Sequence, residues 1–312
     1  MLTAHNGCVT LTLLALSSYT TLSFVPAWFV CLLLFWLFAM GSCIGSFMNV
    51  VVYRMPLGLS LAYPPSRCPS CLHDIRMRDN IPILGWIVLK GRCRDCDVPI
   101  PSRYVWVEFV VGAIFMVYAL LLLVPDGISL PFRDDDQRQI YEFSDLWWIY
   151  GVHVTLLSVL LAANLIRFDG EHVPATLFVY PSLMILAMVI WEPLIHVVEG
   201  FPFAQLHYRW HGPVTAMFGL TSGWMLGALA GLFLRDHEGE GAMGLLGLVG
   251  VALGWQAAIL VGIISLIWFA LIRATSASGL FSWTLLPSLC TVGYLVGWKF
   301  WVEAIPWLGN IG

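Results

Sequence analysis

The sequence predicts an all-α polytopic membrane protein with about eight transmembrane helices and one small cysteine-bearing loop domain. Of the 312 residues, 59% are hydrophobic and 11% are charged, which is too apolar a composition for a soluble domain. One long polar interval, from Gly41 to Glu108, interrupts the apolar chain and contains two C-x-x-C pairs. The net charge of −4 offers no basic surface of the kind that nucleic-acid binding requires, so we expect no nucleic-acid partner.

Seven apolar segments follow one another, and a helix of about 20 apolar residues suffices to cross a bilayer. The apolar residues before Pro26 are interrupted by a Ser17 to Thr20 polar run, so we interpret them as an interfacial or periplasmic lead-in. One segment is too long for a single span, and Gly254 near its middle predicts two helices joined by a turn. The predicted spans are Trp28–Val50, Tyr104–Val124, Trp147–Ile166, Ala175–Ile195, Val214–Leu234, Ala242–Ile272 split at Gly254, and Trp283–Trp301.

These spans divide the chain into three parts. Residues 1–53 form the lead-in and first span, residues 54–103 a four-cysteine domain, and residues 104–312 a membrane domain with spans two to eight. The charges orient these parts, because eight of the 15 Lys and Arg residues lie between Arg54 and Arg103, whereas the next loop is mainly acidic. The positive-inside rule therefore places the four-cysteine domain in the cytoplasm.

Four cysteines carry the strongest motif of the chain. Cys68 and Cys71 form one C-x-x-C pair, and Cys93 and Cys96 form a second pair after 21 intervening residues. Two thiolates from each of two tight turns complete the tetrahedral sulfur set that zinc prefers. Two disulfides are the alternative, but they need an oxidising compartment. The predicted cytoplasmic location favours a structural zinc ion and a zinc-ribbon-like loop domain.

Two short loops on the same predicted membrane face carry carboxylates. Residues 167–174 and residues 235–242 together hold five carboxylates against two arginines. Carboxylates that face each other across a cleft suppress each other's ionisation, so one can hold a proton while the other activates water, as in aspartic proteases. The alternative is that these are solvated loop charges. A metal site built on His172 and His237 is a further alternative, although neither shows ligand spacing on a helix face.

Several linked motifs resemble the amino-terminal region of bacterial prepilin peptidases. They are the stretch GSFMNVVVYRMP at residues 45–56, the two C-x-x-C pairs around DNIPILGW at residues 79–86, KGRC at residues 90–93, SRY at residues 102–104, and Glu108. The match is dense over about 70 residues, and the predicted eight spans extend it over the remaining chain. Motifs in this order make the resemblance specific.

The resemblance implies a polytopic aspartic endopeptidase of the bacterial inner membrane. Such enzymes remove the leader from type IV prepilins or from the pseudopilins of type II secretion. Many also methylate the new amino terminus with S-adenosylmethionine. In this family, one catalytic Asp precedes a Leu-Pro or Ile-Pro pair, and the second closes a Gly-x-Gly-Asp motif.

The chain departs from the family at both catalytic positions. Arg167 stands at the usual distance from Pro174, and Ala242 stands where the Gly-x-Gly motif would end in Asp. If the chain is a protease, Asp169 is the first carboxylate, and the second is Glu240 or Asp236. Three hypotheses follow: a protease with a rearranged pair of carboxylates, an inactive relative that binds pilin-like helices or assembly partners, and a channel or transporter with a zinc-bearing loop.

Overall fold

The computed structural model describes residues 26–123, 143–192, 195–196, 208–234, 238–275 and 283–297. The predicted lead-in, the acidic loop after the second span, and Asp236 lie outside these residues. The described residues form nine α-helices, a short 3-10 helix over Met77–Asp79 and two isolated β-bridges. The helices are α1 (Ala27–Arg54), α2 (Leu84–Val88), α3 (Arg103–Leu123), α4 (Phe143–Phe168), α5 (Thr176–Trp191), α6 (Tyr208–Gly231), α7 (Glu238–Leu253), α8 (Trp255–Thr275) and α9 (Leu285–Val296).

All helices except α2 coincide with the eight predicted spans, which confirms the predicted fold class. Four helices are long and apolar enough to cross a bilayer by themselves, namely α1, α3, α4 and α6. The helices α5, α8 and α9 contain shorter apolar stretches. The predicted break at Gly254 is also observed, because α7 ends at Leu253 and α8 begins at Trp255.

Helices α1 and α3 pack closely at glycine residues of both helices. A methyl group added at Gly45 would lie 2.8 Å from the Cα atom of Glu108. A methyl group added at Gly112 would lie 2.5 Å from the hydroxyl oxygen of Ser42. Small residues allow membrane helices to approach closely, so these positions hold α1 against α3.

A glycine stripe on α6 supplies an even closer contact with α7. Gly219, Gly223, Gly227 and Gly231 recur at every fourth position and therefore share one helix face. A methyl group added at Gly223 would lie 2.2 Å from the carbonyl oxygen of Leu246 on α7. Such a contact is impossible for a larger residue without a shift of the backbone, so the stripe fixes α7 in place.

Helix α7 occupies the centre of the bundle. From Gly241 to Leu253 nearly all of its side chains are buried, including Leu245, Leu246 and Val249. Helices α4, α5, α6 and α8 surround it. A helix that is apolar on all sides is typical of a protein core or of a membrane span, and here it lies at the core of the bundle. The amino-terminal end of α7 carries Glu238 and Glu240. We call the surface formed by these residues and Asp169 the carboxylate face.

Candidate active site and metal centre

The first cysteine pair lies in a tight turn closed by backbone hydrogen bonds. The N–H of Leu72 donates to the carbonyl of Cys68, and the N–H of Cys68 donates to the carbonyl of His73. Leu72 has a left-handed backbone with φ of 60°. An isolated antiparallel bridge between Arg67 and Asp74 closes the base of the turn.

The second cysteine pair repeats this geometry further along the chain. The N–H of Asp97 donates to the carbonyl of Cys93, and the N–H of Cys93 donates to the carbonyl of Val98. Asp97 is again left-handed, with φ of 57°, and a bridge between Arg92 and Pro99 closes the base. Because the two turns have the same hydrogen-bond pattern, each can present its two thiols in the same way.

The four sulfur atoms converge on one point. The Sγ atoms of Cys68 and Cys96 lie 3.7 Å apart, and those of Cys71 and Cys93 lie 4.0 Å apart. All four lie within 4.8 Å of one another. Four sulfurs bound to one zinc ion at about 2.3 Å would lie about 3.8 Å apart, so the cluster fits a tetrahedral metal. The four cysteines are free thiols in the structure, so the disulfide alternative is not observed.

Electrostatics inside the four-cysteine domain favour the thiolate form of one of its cysteines, Cys68. Hydrogen bonds from the backbone N–H groups of Cys71 and Ser70 lower the pKa of the Cys68 thiol to about 6. A thiolate is the form that binds a metal. Arg94 donates two hydrogen bonds to Asp79, of 2.7 and 2.6 Å, and these lower the pKa of the Asp79 carboxyl. The Asp79 ion pair thus ties the second cysteine turn to the 3-10 segment.

Glu108 on α3 attaches the four-cysteine domain to the membrane helices. It is 9% exposed, and its Oε2 atom accepts a hydrogen bond of 2.7 Å from the N–H of Ile83. Ile83 has a left-handed backbone with φ of 63°, which is an unusual conformation for a β-branched residue. The amide of Asn49 on α1 donates to the carbonyl of Tyr104 nearby. The bond between Ile83 and Glu108 thus attaches the four-cysteine domain to α3, and the bond between Asn49 and Tyr104 joins α1 to α3.

Asp169, the first predicted catalytic carboxylate, pairs with an arginine at the start of α3. Both Nη atoms of Arg103 donate to the Asp169 carboxylate, with Nη2 lying 2.8 Å from Oδ2. The two side chains are about one-third exposed. A bidentate guanidinium pair fixes the orientation of the carboxylate. Asp169 is therefore held next to the boundary between the four-cysteine domain and α3.

A second ion pair joins the two predicted acidic loops. Nη2 of Arg167 at the end of α4 donates to Oε1 of Glu238 at the start of α7, over 2.8 Å. The Nη1 atom of Arg167 contacts the carbonyl of Glu171 in its own loop. The end of α4 and the start of α7 therefore meet through Arg167 and Glu238.

The two candidates for the second catalytic carboxylate are Glu240 and Asp236. Glu240 lies exposed in the first turn of α7, two positions after Glu238. Asp236 lies outside the described residues. Ala242 is only 2% exposed and belongs to the buried face of α7. The predicted assignment of Asp169 with Glu240 or Asp236 is therefore still a prediction.

Polar side chains from α4 and from the start of α9 lie near this end of the bundle. The amide of Asn164 donates to the hydroxyl of Ser288 over 2.8 Å, and the hydroxyl of Thr284 donates to Asn164 over 2.9 Å. The ring of Trp283 lies against Gly241, where an added methyl group would be 2.5 Å away. These contacts close the bundle beneath the carboxylate face.

Sequence reasoning placed Arg167 and Glu238 in the two acidic loops but did not predict that they pair. It missed Arg103, the partner of Asp169, altogether. The two residues of each ion pair are 66 and 71 positions apart in the sequence, so no local sequence pattern predicts that they pair. The only available signal was the conspicuous charge of Arg167 at the place where the family resemblance expects Asp.

Comparison with known proteins agrees with this architecture of membrane helices and a four-cysteine domain. The profile of the bacterial peptidase A24 N-terminal domain matches residues 39–122. A prepilin leader peptidase/N-methyltransferase of Klebsiella pneumoniae is 34% identical over 231 residues, which cover 71% of this chain and 85% of that protein. No solved structure matches the chain.

Two further relatives extend the likeness. A prepilin leader peptidase/N-methyltransferase of Myxococcus xanthus is 32% identical over 76% of this chain, and the match spans 61% of that protein. A type 4 prepilin-like proteins leader peptide-processing enzyme of Escherichia coli is 43% identical over 43% of this chain and 48% of its own length. The chain belongs to the prepilin leader peptidase/N-methyltransferase family.

Proposed function

We propose that this protein removes leader peptides from type IV prepilin-like or pseudopilin proteins, as an aspartic endopeptidase embedded in the membrane. The proposal is supported by the family membership and by the single observation that the ends of α4 and α7, which carry the candidate carboxylates, meet through Arg167 and Glu238. The reaction would take place at the membrane face that also carries the four-cysteine domain.

The two carboxylates would have different roles in this reaction. Arg103 fixes the orientation of the Asp169 carboxylate, which would accept a proton from the water that attacks the peptide carbonyl. Glu240, or Asp236 in its place, would hold a proton and give it to the leaving nitrogen. Glu240 is preferred because it lies between two glycines, Gly239 and Gly241, at the start of α7.

The four-cysteine cluster would hold one structural zinc ion. Its sulfur separations fit tetrahedral coordination, and such an ion would supply folding free energy to the loop domain. Methylation of the new amino terminus with S-adenosylmethionine is proposed as a second activity only from the names of the relatives. The described residues contain no feature that marks a site for this cofactor, so no step is assigned to it.

The location proposed for the protein is the bacterial inner membrane, with the four-cysteine domain in the cytoplasm. This orientation rests on the cluster of Lys and Arg residues between α1 and α3.

The substrate of this protein would be an apolar helix preceded by a short basic leader. Asp236, Glu238 and Glu240 would attract that leader, so replacing all three with amides should weaken its capture most strongly at low salt. Capture that is unchanged across a salt series would contradict this mode.

A second candidate function is binding of pilin-like helices or assembly partners without cleavage. It is motivated by the sequence, in which Arg167 and Ala242 stand where the family resemblance expects the two catalytic Asp residues. Arg167 is engaged with Glu238, and Ala242 lies buried in α7. In this function the face would still receive a prepilin, but no carboxylate pair would activate water.

Cleavage of a prepilin or pseudopilin encoded in the same genome tests the two functions. The wild type and Ala242→Asp would each be purified, reconstituted in liposomes and assayed for leader removal. The proposed protease predicts cleavage by the wild type. No cleavage by the wild type, together with activity of Ala242→Asp that still requires Asp169, would establish the binding function instead. Melting temperatures of both proteins would verify that they are folded.

A further inference from the structure

The short helix α2 of the four-cysteine domain turns three apolar side chains outward. Leu84, Ile87 and Val88 are 57%, 55% and 70% exposed. Their spacing of three and four positions places them on one face of the helix. More than half of each side chain is therefore left uncovered by the rest of the protein. Exposed apolar side chains that are grouped in this way mark a surface that binds a partner or a membrane.

The opposite side of α2 is packed into the four-cysteine domain. Gly85 is buried, and a methyl group added to it would lie 2.2 Å from the carbonyl oxygen of Asp79. Trp86 donates from Nε1 to the carbonyl of Ile100 over 3.1 Å. A methyl group added to Gly91 would lie 2.8 Å from the ring of Trp86. Because these contacts hold the inner side of α2, the helix cannot rotate to bury its three apolar side chains.

Two contacts place α2 beside the first turns of α3, a helix long and apolar enough to cross a bilayer. Ile83, directly before α2, donates its backbone N–H to Glu108, which lies five positions after α3 begins at Arg103. With a rise of about 1.5 Å per residue, Glu108 lies only about 7.5 Å along α3. Ile100, the acceptor for Trp86, precedes Arg103 by three positions. Helix α2 is thus level with the end of α3 that enters the membrane.

The same turns of α3 carry exposed aromatic side chains. Trp106 and Phe109, on either side of Glu108 in the sequence, are 62% and 46% exposed. Exposed Trp side chains of membrane-spanning helices are concentrated at the level of the lipid headgroups. The level of α2 is therefore that of the boundary between membrane and water, where lipid is the nearest available cover for its apolar face.

The charges of the four-cysteine domain match an anionic membrane surface. Residues 54–103 hold eight Lys and Arg residues against four Asp residues and no Glu. Two of the basic residues, Lys90 and Arg92, closely follow α2 and are exposed. Long basic side chains can place their apolar stems along lipid chains while their charges reach the lipid phosphates. An apolar face that is accompanied by basic residues is typical of a segment that lies in the membrane interface.

We propose that α2 is an interfacial membrane anchor, whose side chains Leu84, Ile87 and Val88 insert into the bilayer beside α3. Segments of this kind lie about 5–10 Å deep at the boundary between headgroups and acyl chains. The anchor holds the four-cysteine domain against the bilayer at the end of α3 where Arg103 pairs with Asp169. This inference does not depend on the proposed peptidase activity.

Quenching by labelled lipids measures the insertion in the full-length protein. A fluorescent unnatural amino acid would replace Leu84 in protein reconstituted into vesicles of phosphatidylethanolamine and phosphatidylglycerol, with a nitroxide on the upper part of some acyl chains. The same label at Asp74 is the reference, because Asp74 is an exposed, charged residue of the same domain. We expect the nitroxide lipids to quench the label at position 84 several-fold more strongly. Equal quenching at both positions would overturn the proposal.

Two variants at position 88 supply the second test, with the label kept at position 84. Val88→Asp places a charge on the inserted face and should remove most of the quenching by nitroxide lipids, whereas Val88→Leu should retain it. Equal circular dichroism spectra would verify that both variants are folded. Unchanged quenching in Val88→Asp would contradict insertion. Weak lipid quenching of the wild-type sequence, with shielding of the label from an aqueous quencher only after a prepilin is added, would overturn the lipid assignment in favour of a protein partner.

Discussion

The four-cysteine domain and the carboxylate face are assembled in different ways. The four cysteines lie close together in the sequence, from Cys68 to Cys96, and two equivalent turns present them without help from the membrane helices. The carboxylate face instead depends on Arg103 with Asp169 and on a second ion pair, which come from α3, α4, α7 and their connections. A local motif thus defines the first region, whereas helix packing defines the second.

The largest expected effect concerns the metal of the four-cysteine domain. A structural zinc ion contributes on the order of 10 kcal/mol to the folding of a small domain. Cys93→Ser should therefore abolish zinc binding and unfold residues 54–103, while the membrane helices stay inserted. Zinc content by mass spectrometry and limited proteolysis would follow both effects. Cys43→Ser is the matched control, because Cys43 is an exposed free thiol on α1.

Two outcomes would contradict this prediction. Purified wild-type protein with less than about a tenth of an equivalent of zinc would contradict metal binding. Labelling of Cys68 from the periplasmic side would contradict the proposed orientation.

The second expected effect concerns the partner of Asp169. General acid or base assistance is worth about 10² to 10⁴ in rate. Glu240→Gln should lower the rate of leader removal by at least this range, whereas Asp236→Asn should change it much less. Single-turnover assays in liposomes would measure both rates. The opposite order would transfer the role to Asp236.

A smaller effect is expected where the two regions meet. Glu108→Leu removes the acceptor for the N–H of Ile83 and should destabilise the docking of the four-cysteine domain by about 1–3 kcal/mol. Glu108→Gln keeps an oxygen acceptor and should cost less. Denaturant unfolding followed by the fluorescence of Trp86, which donates to the carbonyl of Ile100 in the same domain, would compare them. Equal losses of unfolding free energy in the two variants would contradict a stabilising role for the hydrogen bond between Glu108 and Ile83.

The smallest effect distinguishes the two cysteine turns. A left-handed backbone costs most L-residues about 1–2 kcal/mol, and Asp tolerates it better than Leu. Leu72→Gly should therefore slow the loss of zinc to a chelator more than Asp97→Gly does. The reverse order would mean that contacts of the Leu72 side chain outweigh its backbone strain.

The sequence predicts the fold well because each span and each cysteine pair is a local pattern. The eight spans, and even the break at Gly254, follow from apolar length and from one glycine. The glycine stripe of α6 is also visible in the sequence, but its partner on α7 is not, because a stripe does not specify what it touches.

The carboxylate face was less predictable for a physical reason. Asp169 was identified as an isolated acid, yet its environment is set by Arg103, which lies 66 positions earlier. Ion pairs between distant helices depend on how the helices pack, and composition or spacing does not encode that packing directly. The hydrogen bond between Glu108 and Ile83 could not be predicted from the sequence for the same reason.

The most direct test of the proposed function is the rate of leader removal by Asp169→Asn, compared with wild type and with Glu171→Gln. Glu171 belongs to the same exposed loop, so its variant removes the same charge without touching the proposed pair. The proposed function predicts cleavage by wild type, a loss of at least about 10² for Asp169→Asn, and most of the rate retained by Glu171→Gln. Normal cleavage by Asp169→Asn would contradict the assignment of this face as the active site.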